Sequence, residues 1–171
     1  LETAEIAVQA SLTGHLVFSI LHTNDSPGAI TRLMDMGVEP FLIASSLLGA
    51  MAQRLVRTLC PKCKVAYELS PEERRELGLG HEVGAPTVFR PSEAGCKNCQ
   101  GLGYRGRCGI HEMLLIDDEV RSRIMQRADA NQIRAASPTL FTLRHDGAMK
   151  VLKGITSVEE VLRVTQDDIL D

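Results

Sequence analysis

The sequence has no surplus of positive charge: 19 Lys and Arg stand against 22 Asp and Glu, giving a formal net charge of −3 and a pI near 6.0. A nucleic-acid binder normally shows a basic footprint, so that partner class is set aside. Nor is there an apolar run of membrane-spanning length. The best candidate, Phe41 to Ala52, is too short and is broken by Ser45, Ser46 and Gly49, so any membrane contact is expected to go through partners. There is no low-complexity segment and no visible signal peptide. An initiator Met is also missing, and Leu1 leads at once into helix-forming sequence, Glu2-Thr3-Ala4-Glu5-Ile6-Ala7. The expectation is a piece of a longer protein. What is present, 44% hydrophobic residues over 171 positions, is enough for a real core in one domain or two small ones.

The chain is organised around two Cys-x-x-Cys knuckles, Cys60-Pro61-Lys62-Cys63 and Cys96-Lys97-Asn98-Cys99. A two-residue spacer lets two thiolates reach one ion from a single tight turn, and two such turns complete the tetrahedral sulfur shell of structural Zn²⁺. The competing readings are two disulfides or four unrelated core thiols; a reducing compartment favours the metal. The stretch between the knuckles, Lys64 to Gly95, is too long for a compact finger and predicts a small subdomain. Cys108, in the apolar run Gly109-Ile110-His111, reads as a small buried hydrophobe and not as a fifth ligand.

Around the knuckles the punctuation predicts an α/β chain. A helix over Thr3–Leu12 ends at Gly14, and His15–Leu21 reads as a strand buried on both faces, as in a parallel sheet. A helix from about Pro27 to Met36 stops at Gly37, and another runs from Pro40 to about Met51. Gln53–Leu59 reads as a strand carrying Arg54 and Arg57. Ser70-Pro71-Glu72-Glu73 opens a short helix, and Gly80–Pro86 is a turn-rich connection. Gly109–Ile116 reads as a returning strand. Helices follow over 118–127, from Asp129 to Ala136, over 140–152, and from a capping box at Thr156-Ser157-Val158-Glu159 to about Val164, together a small helical bundle. His22 and Thr23 fall at the carboxyl end of the first strand, where ligands gather in open α/β sheets. His15 and His22 flank that strand seven residues apart and point to opposite faces, so they do not share a metal. Spacing alone favours a satisfied core histidine for either, and only the context of His22, directly after an apolar run, favours a site role for it.

The stretches TGHLVFSILHTND, SPGAITRLMDMGVEPFLIASSL, QRLVRTLCPKC, CKNCQGLGYRGRCGIHEML and LRHDGAMKVLKGITSVEEVLRVT resemble the secretion ATPases that power type II secretion and type IV pilus extension. The resemblance covers essentially the whole chain and leans toward type II secretion. It implies the C-terminal part of a RecA-like P-loop ATPase domain with its His box (1–59), an inserted zinc module (60–107), and a returning strand with a C-terminal helical subdomain (108–171). It further implies nucleotide sensing by His22, with His15 secondary, and cofactor contacts from Thr23 and Arg54. Zn²⁺ would be held by Cys60, Cys63, Cys96 and Cys99, and ATP with Mg²⁺ would be bound by the complete protein. The expected setting is a cytoplasmic hexamer that meets inner-membrane secretion platform proteins. Two departures stand out. Ile20 replaces the Thr usual beside His22, and the Walker A loop and Walker B strand belong upstream of Leu1. A different class also fits part of the chain: Cys96-x-x-Cys99-x-Gly101-x-Gly103 resembles one repeat of the DnaJ-type chaperone zinc domains, which points to a zinc-dependent interaction module.

Overall fold

The computed structural model describes residues 2–80 and 84–166. They form two compact units, one from 2–52 with 112–140 and the other from 53–111 with 141–166. No helix among the described residues is long and apolar enough to cross a membrane.

In the first unit, α1 (Glu2–Leu12), α2 (Ser26–Asp35) and α3 (Pro40–Ser46) lead into the start of strand β1 (Gly49–Leu59). The end of β4 (Tyr104–Leu115), α5 (Asp118–Met125) and α6 (Ala130–Ala135) complete it. Three of these helices begin where a polar cap dictates. Asp25 accepts from Gly28 N–H, Asp117 from Val120 N–H, and Asp129 forms a reciprocal capping box with Gln132. Such a cap contributes about 1 kcal/mol. Gly14 and Gly37, both at φ +92°, end α1 and α2 in the left-handed conformation that glycine adopts without strain. The apolar faces converge on Ile30, Val38, Ile43, Leu114, Ile116, Val120, Ile124 and Ile133.

Three expectations for this region need correction. His15–Leu21 is not a buried strand: it has no regular secondary structure and is largely exposed, with Phe18 and Ile20 at 89% and 88% accessibility, and no strand among the described residues pairs with it. Its composition suits a strand covered on both faces, but that cover is not supplied by the elements described. No parallel sheet forms among the described residues either; β1 pairs with β4, and β2 (Val65–Glu68) pairs antiparallel with β3 (Thr87–Arg90). Third, the helix expected from Pro40 to Met51 stops at Ser46. Ser45 and Ser46 turn their hydroxyls back onto Phe41 and Leu42 carbonyls, a competition that weakens a helix end. Gly49 then begins β1, where an added Cβ would lie 2.9 Å from Leu114 O.

The second unit holds the rest of β1 and β4, the β2–β3 hairpin, α4 (Pro71–Glu76), a 3-10 turn at Lys97–Cys99, α7 (Leu143–Leu152) and α8 (Val158–Val164). The hairpin runs in register from Val65↔Arg90 to Glu68↔Thr87. Nothing in the sequence pattern had pointed to it. Ser70 and Glu73 cap α4 reciprocally, as expected. Part of the turn-rich stretch 80–86 lies outside the described residues. The core joins Leu69, Leu77 and Val88 from the inter-knuckle stretch to Ala148, Val151, Val158 and Val161 of α7 and α8. Gly147 is required here, because a Cβ would stand 2.5 Å from Val161 Cγ1.

The cap of α8 is displaced by one residue: Ser157, not Thr156, accepts from Glu160 N–H. Thr156 is unavailable because its hydroxyl donates to Arg57 O at 2.8 Å. The four helices expected as one bundle are divided between the units, α5 and α6 in the first and α7 and α8 in the second.

Candidate metal centre and histidine loop

β1 delivers the first knuckle and β4 departs from the second. Cys60 N–H donates to Gly103 O at 2.9 Å, which fixes the two chain segments side by side. The first knuckle is a tight turn in which Cys63 and Lys64 N–H both reach Cys60 O, at 3.3 and 3.0 Å. In the second, Cys99 and Gly101 N–H reach Cys96 O at 3.2 and 3.1 Å. That curl needs left-handed backbone at Gln100, Gly101 and Gly103. Gly95, at φ +59°, admits no side chain, since a Cβ would meet Gly101 C at 2.4 Å.

The four sulfurs lie within 4.8 Å of one another. Three separations are Cys60–Cys96 at 3.8 Å, Cys63–Cys99 at 3.7 Å and Cys96–Cys99 at 3.8 Å. A zinc–sulfur bond of about 2.3 Å places the corners of a tetrahedron about 3.8 Å apart, so the cage fits that ion. A four-sulfur shell leaves no open position for a substrate, as in structural zinc sites.

The surroundings suit thiolates. Asn98 Nδ2 donates to Cys60 Sγ at 3.2 Å, Cys96 N–H to Cys99 Sγ at 3.2 Å, and Gly103 N–H to Cys99 Sγ at 3.3 Å. The Asn98 bond brings the Cys60 thiol down to about 6. Burial pushes Cys99 upward, yet the Cys96 and Gly103 N–H groups, together with the Cys63 and Cys96 thiols, outweigh it and its pKa falls. Among the described residues Cys63 has no comparable donor, and burial lifts it to about 12, so at neutral pH an ion must displace its proton. Cys108 is half-buried and stands outside the cluster.

The other candidates lie on separate elements. His22 and Thr23 share the loop before α2, where the Thr23 hydroxyl donates to Asp25 O at 3.1 Å. His15 caps the end of α1: its N–H donates to Ala10 O at 3.1 Å, and Nδ1 lies 3.1 Å from Thr13 Oγ1. Arg54 is half-buried on β1 in the other unit.

Two buried carboxylates were not foreseen. Glu112 is wholly inaccessible on β4, in phase with Ile110, Leu114 and Ile116. Glu160, also at 0%, receives hydrogen bonds from Arg57 N–H, the Arg57 guanidinium and the Arg163 guanidinium at 2.7–3.1 Å. Arg57 also lies over the Tyr104 ring at 4.1 Å. The one available signal for Glu112 was an acidic residue at the inward phase of an apolar strand.

A family model described as type II/IV secretion system protein matches residues 1–163. The chain belongs to that family. It is 55% identical over 171 residues to the type II secretion system ATPase E of Vibrio cholerae serotype O1, covering 98% of this chain and 33% of that protein. It is 52% identical over 168 residues to type II secretion system protein E of Dickeya dadantii, with the same two coverages. The type IV pilus assembly ATPase PilB of Thermus thermophilus is 49% identical over 167 residues, covering 96% of this chain and 19% of that one. This family member thus spans about one third of the type II relatives it matches.

Proposed function

We propose that the chain is the C-terminal part of a cytoplasmic ATPase motor that powers type II protein secretion. The observation that carries this reading is its 55% identity, over 98% of its length, to a protein named type II secretion system ATPase E, against 49% to a pilus assembly ATPase. In this reading 1–59 is the end of a RecA-like core, 60–107 the zinc module and 108–171 a returning strand with helices. ATP and Mg²⁺ are bound chiefly by Walker A and Walker B groups of the longer protein. His22 faces the nucleotide and senses it, with Thr23 and Arg54 as further contacts, while His15 is secondary. Zn²⁺ held by the four cysteines cross-links the ends of β1 and β4 and takes no part in hydrolysis. The motor works as a hexamer against inner-membrane platform proteins.

Complementation tests the assignment. The complete protein should restore secretion to a strain lacking its type II secretion ATPase and not restore pili to one lacking its pilus assembly ATPase. The opposite pattern moves the chain to pilus assembly. The 171 residues alone should not turn over ATP, because phosphoryl transfer depends on positioning and charge neutralisation by P-loop and metal-holding groups. ATP turnover by the purified chain, scaling with its concentration, refutes that division of labour. The alternative, a zinc-dependent interaction module, requires partner binding without any nucleotide-dependent protection of residues 15–23.

A further inference from the structure

Nothing on the N-terminal side anchors the loop that carries His22 and Thr23 by strand pairing, since the run leading into it is irregular, largely exposed and without a paired strand among the described residues. Its other side is held tightly. Ser26, the first residue of α2, donates to Glu112 Oε1 twice, from its N–H at 2.8 Å and its hydroxyl at 2.6 Å. Asp25 is bound from two directions. Its Oδ1 accepts Gly28 N–H at 2.7 Å, and its Oδ2 accepts Arg134 Nη2 at 2.5 Å. The same guanidinium turns Nη1 toward Glu112 Oε2 at 3.5 Å, and that oxygen has no hydrogen-bond partner among the described residues.

Helix capping needs only Asp25. A fully buried carboxylate is costly unless it is compensated, and charge-assisted hydrogen bonds at low dielectric are roughly twice as strong as neutral ones. Glu112 stands 86 positions from Ser26, and Arg134 stands 109 from Asp25. The network therefore ties three remote segments, β4, α6 and the start of α2, at one point directly after His22, Thr23 and Asn24. We propose that Glu112 and Arg134 are positioning residues, a buried clamp that sets where the His22–Thr23 loop stands. For catalysis this rests on the nucleotide-facing role proposed for His22; the clamp itself does not.

The test uses the complete protein with Glu112→Gln, Arg134→Met and Arg134→Lys. Hydrogen exchange of residues 21–28 is read against α5 and α6, together with steady-state ATPase. The clamp predicts exchange at 21–28 faster by about tenfold or more in Glu112→Gln and Arg134→Met, with α5 and α6 unchanged and Arg134→Lys keeping most of the protection. It also predicts kcat lower by roughly tenfold with KM for ATP nearly unchanged, since misplacing a reacting group costs rate more than binding. Unchanged exchange at 21–28 overturns the clamp. So does equal loosening of α5 and α6, which marks a merely structural network. Faster loop exchange with an unchanged kcat upholds the clamp and removes His22 from the reaction. Should Glu112→Gln fail to fold, Arg134→Met carries the measurement, because that side chain is 29% exposed.

Discussion

Replacing Glu160 by Gln should cost the second unit a calculable amount, and the cost should vanish in acid. Burial by itself would push this carboxyl up, but hydrogen bonds from Arg163 and Arg57 bring it from an ordinary 4.5 down to about 2. That depression corresponds to about 3 kcal/mol of native-state stabilisation at neutral pH. Because the folded pKa lies below the unfolded one, the stabilisation is complete well above pH 4.5 and is lost as pH falls toward 2. About half of it should remain at about pH 3. Gln has the shape of Glu but no charge, so it mimics the protonated acid. The assay is urea unfolding of both proteins at about pH 6 and about pH 3. The difference should be about 3 kcal/mol at the higher pH, on the order of 1–2 M in midpoint, and about half that at the lower. Acid also strips a thiolate-bound ion, but it does so in both proteins, and the difference between them isolates Glu160. An equal difference at the two pH values, or none at the higher one, refutes the reasoning.

The chain should bind one Zn²⁺, and Cys96→Ser should lose it together with several kcal/mol of stability, since structural zinc contributes folding free energy outright; reduced protein that analyses without zinc, or an unchanged melting temperature, contradicts this. Gly95→Ala should lower zinc affinity and destabilise by about 2 kcal/mol or more, because it places a Cβ against Gly101 backbone at a left-handed φ; a competition titration with a chromogenic chelator reads it. In the complete oligomer His22→Ala should lower kcat by roughly tenfold to a thousandfold with nucleotide affinity nearly intact. His15→Ala should leave kcat alone and cost under about 1 kcal/mol, the worth of its exposed contacts at the end of α1. Equal loss in both histidine variants would show that neither faces the nucleotide.

Local signals were legible where the chemistry is local. Ser70 and Asp129 announce helix starts because a short polar side chain satisfies N–H groups two or three residues on. The two knuckles announced the metal cage because both pairs must form tight turns whatever lies between them. What could not be read was long-range. The β2–β3 hairpin joins segments 19 or more positions apart across α4. Arg57 meets Glu160 103 positions away, and nothing in spacing predicts such a pairing. The cap of α8 moved by one residue because Thr156 was taken by a strand carbonyl. Leu16 to Ile20 is the converse case: its composition states what surroundings it suits, and the described elements do not provide them. His22 and Thr23 read as the carboxyl end of a strand; they stand in a loop before α2 with no strand leading into it, because the partner strands that run would need are not among the described elements.

The stretch between the two knuckles begins and ends at one point, where Cys60 meets Gly103, and on that ground it resembles an ornament that evolution could add or trim at will. Its contribution to the core says otherwise. Leu69, Leu77 and Val88 form one wall of the cluster whose other wall is Ala148, Val151 and Val161. A homologue without the knuckles therefore cannot be this chain with a loop excised. Its last two helices would need another cover or a more polar inner face, so loss or gain of the insert should be accompanied by compensating substitutions on α7 and α8.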